Sequence, residues 1–411
     1  MKDYLSTRKL AVLVLLSFSL SSLTACSTNQ VEEKLQELQA TFSQEKKELE
    51  AELRQLEKEV AGNFYFQQLD TDKERRVYLQ FVNGLRKREN TIELDSVNQE
   101  LYTRVYFSVA NDYPEFYWLT DEMSDGISLS DLSLPGYPKD YKEIMKKIED
   151  TAFDILSMSP QGSDYEKVRY FYEYIINQTD YDVNALTNDS LAWKRQSVTS
   201  VLLDRKSVCA GYSRTFQYLC KLSDIECIYV SGMARDVDGT EFGHAWNLVN
   251  IAGNFYGVDT TWGDPVFDVA IGGGENQDIS YDYLCVTDQL LETSRVADRD
   301  LLSYWGNDYP YQSRELSYPV CDDNSLNYYV VNKYYFESFD KEKVLDSISS
   351  QIALGNQKVS LQFSDRASLE QMLQYIESQD SKIFQAFGEN ISTYQYSSNE
   401  QTNTLQLTNW E

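Results

Sequence analysis

The chain has one histidine in 411 residues, His244, and it stands in a β-ribbon between a helix-borne cysteine and an aspartate. That stretch, residues 209–259, constrains the fold more than any other. Val208, Tyr212, Phe216 and Leu219 recur at helical spacing, so Cys209 falls in the first turn of a helix. Unpaired backbone N–H groups and the positive end of the helix dipole favour an anionic sulfur there. Gly211, lacking a side chain, lets another backbone or a substrate come close to the same turn. Two turn signals follow, Asp238-Gly239 and Gly253-Asn254, separating runs rich in β-branched and aromatic residues. A two-residue second loop, either Ala252-Gly253 or Gly253-Asn254, puts His244 and Asp259 on one face of the ribbon. The first choice makes them diagonal neighbours; a three-residue loop sends them to opposite faces.

These positions suit thiol acyl transfer. Cys209 would be the nucleophile, His244 the base that takes and returns its proton, and Asp259 the group that fixes the imidazole tautomer. The backbone N–H of Cys209 is one oxyanion donor, and the side-chain amide of Gln196, just upstream, is the candidate for the second. Trp246 and Trp262 are expected to wall the cleft.

Three blocks, Val208-Cys209-Ala-Gly211-Tyr212, Gly243-His244-Ala-Trp246-Asn247 and Val258-Asp259-Thr-Thr-Trp262-Gly-Asp-Pro265, resemble the ordered motifs of the transglutaminase-like superfamily. They are most similar to its bacterial transglutaminase/protease-like, cytokinesis-type branch. The likeness covers about 110 residues, and it implies a papain-like Cys-His-Asp core with those roles on Cys209, His244 and Asp259. It leaves the reaction open, because such families include transamidating enzymes, peptidases and inactive relatives.

The flanks suggest where the protein works. Lys2, Arg8 and Lys9 precede an apolar run over residues 10–20, the layout of a secretory signal and too short for a transmembrane helix. Leu23-Thr-Ala-Cys26 then resembles a bacterial lipobox, which implies a mature protein beginning at an acylated Cys26 and held on the extracytoplasmic face of the cell membrane. Apolar residues at 31, 35, 38, 42, 49, 53, 56 and 60 step by threes and fours with a stutter near Lys46, a coiled-coil-like stalk. Helical throughout, it would lift the core roughly 45 Å from the membrane, as a lone helix or as a self-associating coil.

The expected fold class is α+β. Its parts are a signal over residues 1–25, the stalk over 26–60, a mainly helical region over 61–160, the core over 161–290 and a small α+β domain over 291–411. In the helical region Asp72 is expected to cap a helix through Val77, Phe81 and Leu85, and residues 91–94 read as strand. Ser163 and Glu166 form a capping box that opens the core, with residues 179–182 beside the cleft. In the last domain residues 328–331 and 334–336 read as strand, Asp340 caps a helix, and further strands surround Leu361, Tyr394 and Leu405.

A net charge of −28 argues against nucleic acid, whose phosphates need Lys and Arg, and against lying flat on anionic lipid, and it favours cationic or neutral partners. Protein or peptide substrates at the cell surface are what the resemblance and the lipobox imply. Among six cysteines, Cys220 and Cys227 read as buried thiols, while Cys285 and Cys321 are candidates for a disulfide. One histidine, with no Cys-x-x-Cys pair and no calcium loop, leaves no metal or cofactor motif. Three readings remain: a thioester passed to an amine, a thioester released to water, and a binding lipoprotein without chemistry.

Overall fold

A computed structural model describes residues 28–89, 92, 94–119, 140–188, 193–264, 279–302, 314–388 and 391–410. The signal, the lipobox and Cys26 lie outside the described residues. Two compact units separate, one ending at Val109 and the other running from Ala110 onward; the architecture is α+β.

In the first unit α1 (Thr28–Val60) is a single helix, as the periodicity predicts. Its last turns are not free stalk: Leu53, Leu56 and Val60 are buried, and α1 packs there on α3 (Asp72–Lys87), which follows the short α2 (Phe64–Gln67). Arg76–Glu50 and Arg86–Glu59 ion pairs flank that seam. The pairs are half-exposed and worth little, so apolar burial holds it. The cap of α3 is Thr71 and not Asp72. Thr71 has extended backbone angles, and its hydroxyl and the Glu74 carboxylate close a reciprocal capping box that leaves Asp72 as the first helical residue. The expected strand at residues 91–94 is also corrected: Ile92 and Leu94, the two described there, are in no strand, and Ile92 is buried beside Gly84 instead. Tertiary packing has overridden local β-propensity. Next comes α4 (Gln99–Asp112).

The second unit takes in the last residues of α4 and continues with α5 (Tyr141–Met158) and α6 (Asp164–Gln178). Ser163 and Glu166 make the expected capping box on α6, burying Val168, Phe171, Tyr172 and Ile175. The chain then forms β1 (Asp180–Tyr181), α7 (Val198–Leu202) and β2 (Lys206–Ser207), with β1 and β2 parallel and Tyr181 opposite Ser207. Directly after β2, α8 (Cys209–Lys221) starts on Cys209 and packs Tyr212, Phe216 and Leu219 fully inside.

Against α8 lies an antiparallel sheet of five strands in the order β6-β5-β4-β3-β7. Its strands are β3 (Cys227–Arg235), β4 (Glu241–Ile251), β5 (Asn254–Val258), β6 (Leu284–Val286) and β7 (Arg295–Ala297). Ile251 pairs with Asn254, so the β4–β5 loop is Ala252-Gly253, both residues at positive φ (54° and 94°). That backbone suits a tight hairpin turn whose twist matches the strands. The β3–β4 loop is longer, with Arg235 pairing Glu241 and Asp236 accepting the N–H groups of Asp238 and Thr240.

The chain closes with α9 (Asp288–Leu291), α10 (Tyr328–Val331), β8 (Tyr335–Phe336), α11 (Lys341–Ala353), β9 (Val359–Phe363), α12 (Arg366–Glu377), α13 (Ile383–Phe387), β10 (Gln395–Asn399) and β11 (Thr404–Thr408). Strands β10-β11-β9-β8 form a second sheet over a core built from Val344, Ile348, Leu361, Leu369 and Leu405. Residues 328–331, expected as strand, are helical: Asn327 caps the turn by accepting from the Tyr329 N–H, and Tyr329 is buried. Cys285 and Cys321 are both buried and both free, so the expected disulfide is absent; the Cys321 thiol is instead hydrogen-bonded to Asp288.

Candidate active site

Cys209 stands where the sheet meets α8, partly buried against Ala245 of β4 and Tyr229 of β3. The Gly211 turn explains how the helix start fits so close. A Cβ there would sit 2.1 Å from Ser207 Oγ, 2.6 Å from Ser200 Oγ and 2.8 Å from the Arg195 carbonyl. Those atoms form one buried cluster, since Ser207 Oγ donates to the Arg195 carbonyl at 2.9 Å and shares a 2.7 Å bond with Ser200 Oγ.

His244 and Asp259 meet as the Ala252-Gly253 register requires. Imidazole Nε2 is 2.8 Å from Asp259 Oδ2, and both side chains are excluded from solvent. The other carboxylate oxygen, Oδ1, accepts the backbone N–H groups of Thr261 and Trp262 at 3.1 and 3.2 Å. With Nε2 engaged by Asp259, Nδ1 is the nitrogen left to face the thiol of Cys209, whose nearness also helps raise the ring. Burial disfavours a charged imidazole, yet the Asp259 charge, the bond the ring donates to Asp259 and the neighbouring Cys209 outweigh it, and the ring is pushed up to about 9. Burial likewise opposes ionisation of Asp259, but the charges of His244 and Arg295 hold its carboxyl below the usual carboxylate range.

Trp246 and Trp262 are more deeply buried than the walls of an open cleft. They bracket the imidazole, with ring centroids 6.2 and 5.9 Å from that of His244. Trp246 also lines a cavity of about 740 Å³ on its own face of the sheet, with Val230, Leu248, Leu291 and Arg295. Gln196 lies beside the strand leading into α8, next to the Arg195 carbonyl that accepts the Val208 N–H. Its Oε1 is buried without a hydrogen-bond partner, and no bond joins it to Cys209 or His244 among the described residues. The backbone N–H of Cys209 donates to the Tyr181 hydroxyl, so the expected oxyanion donor carries a phenol in this structure. Residues 179–182 therefore do lie at the site.

One participant escaped the sequence reading. Arg295 Nη2 donates to Asp259 Oδ2 at 2.9 Å, from a fully buried guanidinium. An arginine in a three-residue strand reads as an exposed edge, and only the pairing of β7 with β3, which sets Arg295 opposite Ala234, turns it inward.

Comparison with known proteins follows this geometry. Residues 152–260 match the transglutaminase-like superfamily. The chain carries a transglutaminase-like core. Mouse (Mus musculus) kyphoscoliosis peptidase is 33% identical over 114 residues, which span 26% of this chain and 17% of the relative. The chain thus spans only a small part of that curated relative. Among solved structures, one described as a TGase aligns at 22% identity and TM-score 0.25, over 32% of this chain and 35% of its own. A candidate cysteine protease from Cytophaga hutchinsonii aligns at 22% identity and TM-score 0.24, over 34% and 47%.

Proposed function

We propose that the protein is a membrane-anchored, extracytoplasmic thiol acyltransferase acting on protein or peptide amides. The observation that carries this reading is the buried 2.8 Å bond between His244 and Asp259 beside a cysteine that opens a helix. Cys209 Sγ attacks the amide carbonyl, His244 passes its proton to the departing nitrogen, and a thioester with free ammonia or amine results. A primary amine or water then attacks the thioester, gives its proton to His244, and restores the thiol. Asp259 holds the ring in the tautomer and orientation both steps need. The developing oxyanion takes the place of the Tyr181 hydroxyl at the Cys209 N–H, with the Gln196 amide as the second donor. The lipid on Cys26 keeps the enzyme at the surface, and the exposed part of α1 either spaces it from the membrane or pairs with a second copy.

Hydrolysis is the second reading, favoured by the peptidase name of the relative that is 33% identical over the core. Membranes from cells making the wild type, Cys26→Ser and Cys209→Ala forms, given a glutamine peptide and a labelled primary amine, separate the possibilities. Amine incorporation with ammonia release, absent from Cys209→Ala and moved to the soluble fraction in Cys26→Ser, is the expected result. Peptide cleavage alone assigns a peptidase. Neither product, across a broad peptide panel, overturns the enzymatic reading.

A further inference from the structure

Arg295 is built into the site in a way that neither the three motif blocks nor the matched residues 152–260 include. Its guanidinium carbon lies 4.1 Å from the ring centroid of Tyr283, 4.5 Å from that of Trp262 and 5.8 Å from that of Trp246. One of its nitrogens, Nη2, bonds Asp259; Nε and Nη1 are buried with no hydrogen-bond partner and face aromatic surface instead. Arginine tolerates this cage because its planar cation is weakly hydrated and stacks on rings. Cys209 as thiolate, His244 as imidazolium and Asp259 as carboxylate sum to one negative charge inside the core, a costly arrangement in low dielectric. The guanidinium brings that sum to zero.

We propose that Arg295 is a positioning residue of the site, anchoring the Asp259 carboxylate beneath His244 and balancing the buried charge of Cys209, His244 and Asp259. Its hydrogen bond shares Oδ2 with the imidazole, leaving Oδ1 to the Thr261 and Trp262 N–H groups, so the carboxylate cannot rotate without losing a partner. Other titratable groups face this cluster. Tyr172, Tyr181 and Tyr283 feel the Asp259 charge, Asp282 faces Tyr172 and Tyr283, and Asp264 faces Tyr181 and accepts from Tyr212. Burial pushes all three phenols up, Tyr283 to about 12, so they stay neutral while the imidazole titrates.

For its catalytic consequence this proposal rests on the acyl-transfer reading, but the arrangement itself is read on the ring. His244 is the sole histidine, so its nitrogen resonances need no assignment in the full-length, histidine-labelled chain. In Arg295→Met the apolar chain keeps contact with the rings while Asp259 loses its second cation. The imidazole then feels an uncompensated carboxylate, and its titration midpoint should rise by about one pH unit. Arg295→Lys, which keeps the charge, should titrate close to the wild type. A midpoint in Arg295→Met that is unchanged or lower overturns the proposal, as does a shift in Arg295→Lys as large as in Arg295→Met. Alkylation of Cys209 on the same samples tests the acyl-transfer reading separately: an unreactive thiol beside a shifted ring retires the chemistry and leaves the assignment of Arg295 standing.

Discussion

At the scale of single residues, the imidazole ties stability to pH. The folded value for His244, about 9, lies above its ordinary 6.5. The His244–Asp259 pair therefore contributes fully below pH 6.5, and the contribution disappears as pH rises through 9; integrated over the shift it amounts to roughly 3 kcal/mol. Asp259 has the opposite sign: its folded value is depressed, so its share is present above the ordinary carboxylate value and is lost in acid. Melting temperatures of the wild type and His244→Gln, recorded side by side from pH 6 to 10, should converge as the alkaline limb is crossed. A constant gap between the two would refute the ion pair. Both members of this pair were legible in the sequence because strand alternation and a two-residue turn fix who shares a face. Arg295 was not, because its direction depends on a long-range pairing to β3 that no local pattern records.

At the scale of elements, the start of α8 depends on an absence of side-chain volume. Apolar residues at helical spacing announced the helix, and its first residue falls on Cys209. What spacing does not show is how tightly β2 and the serine cluster press on its first turn. The Cβ of a Gly211→Ala variant would lie 2.1 Å from Ser207 Oγ and 2.8 Å from the Arg195 carbonyl. The hydroxyl can turn aside, whereas the backbone carbonyl has less freedom, so the helix start itself must give. The expected cost is about 1–3 kcal/mol, and displacement of Cys209 should slow its alkylation at least tenfold even where the fold survives. Chemical denaturation and thiol labelling check the two effects; a variant with wild-type stability and reactivity would mean that the contact is slack. Elements misread from sequence failed for a related reason. Residues 328–331 are aromatic and β-branched, which favours strand, but the Asn327 cap and burial of Tyr329 outweigh propensity over so few residues.

At the scale of the second unit, one buried carboxylate gathers several of the bonds that tie the C-terminal part to the transglutaminase-like core. Asp282, just ahead of β6, accepts from the Tyr329 hydroxyl on Oδ1 and from Thr402 and Thr404 on Oδ2, at 2.8 and 2.9 Å. All four side chains are buried, so none has water as a ready substitute. Beside this junction the Gln401 amide donates to the carbonyls of Arg235 and Asp236, so the turn between β10 and β11 also grips the loop that leaves β3. Apolar spacing and cap residues pointed to an α+β C-terminal region, but a lone Asp among several acidic residues carries no mark of being a junction. Asp282→Ala removes the shared acceptor of three hydroxyls; Thr402 and Thr404 can still bond each other at 2.9 Å, so two donors are orphaned and the cost should be about 3 kcal/mol, because each buried orphan carries its own desolvation penalty. Two outcomes are distinguishable by limited proteolysis along the melt. A junction predicts early cleavage near residues 399–404 while residues 209–259 remain protected, with Cys209 alkylation close to the wild type. Simultaneous loss of protection at both places would show instead that Asp282 holds the catalytic sheet itself, through β6, and that the two sheets unfold as one body.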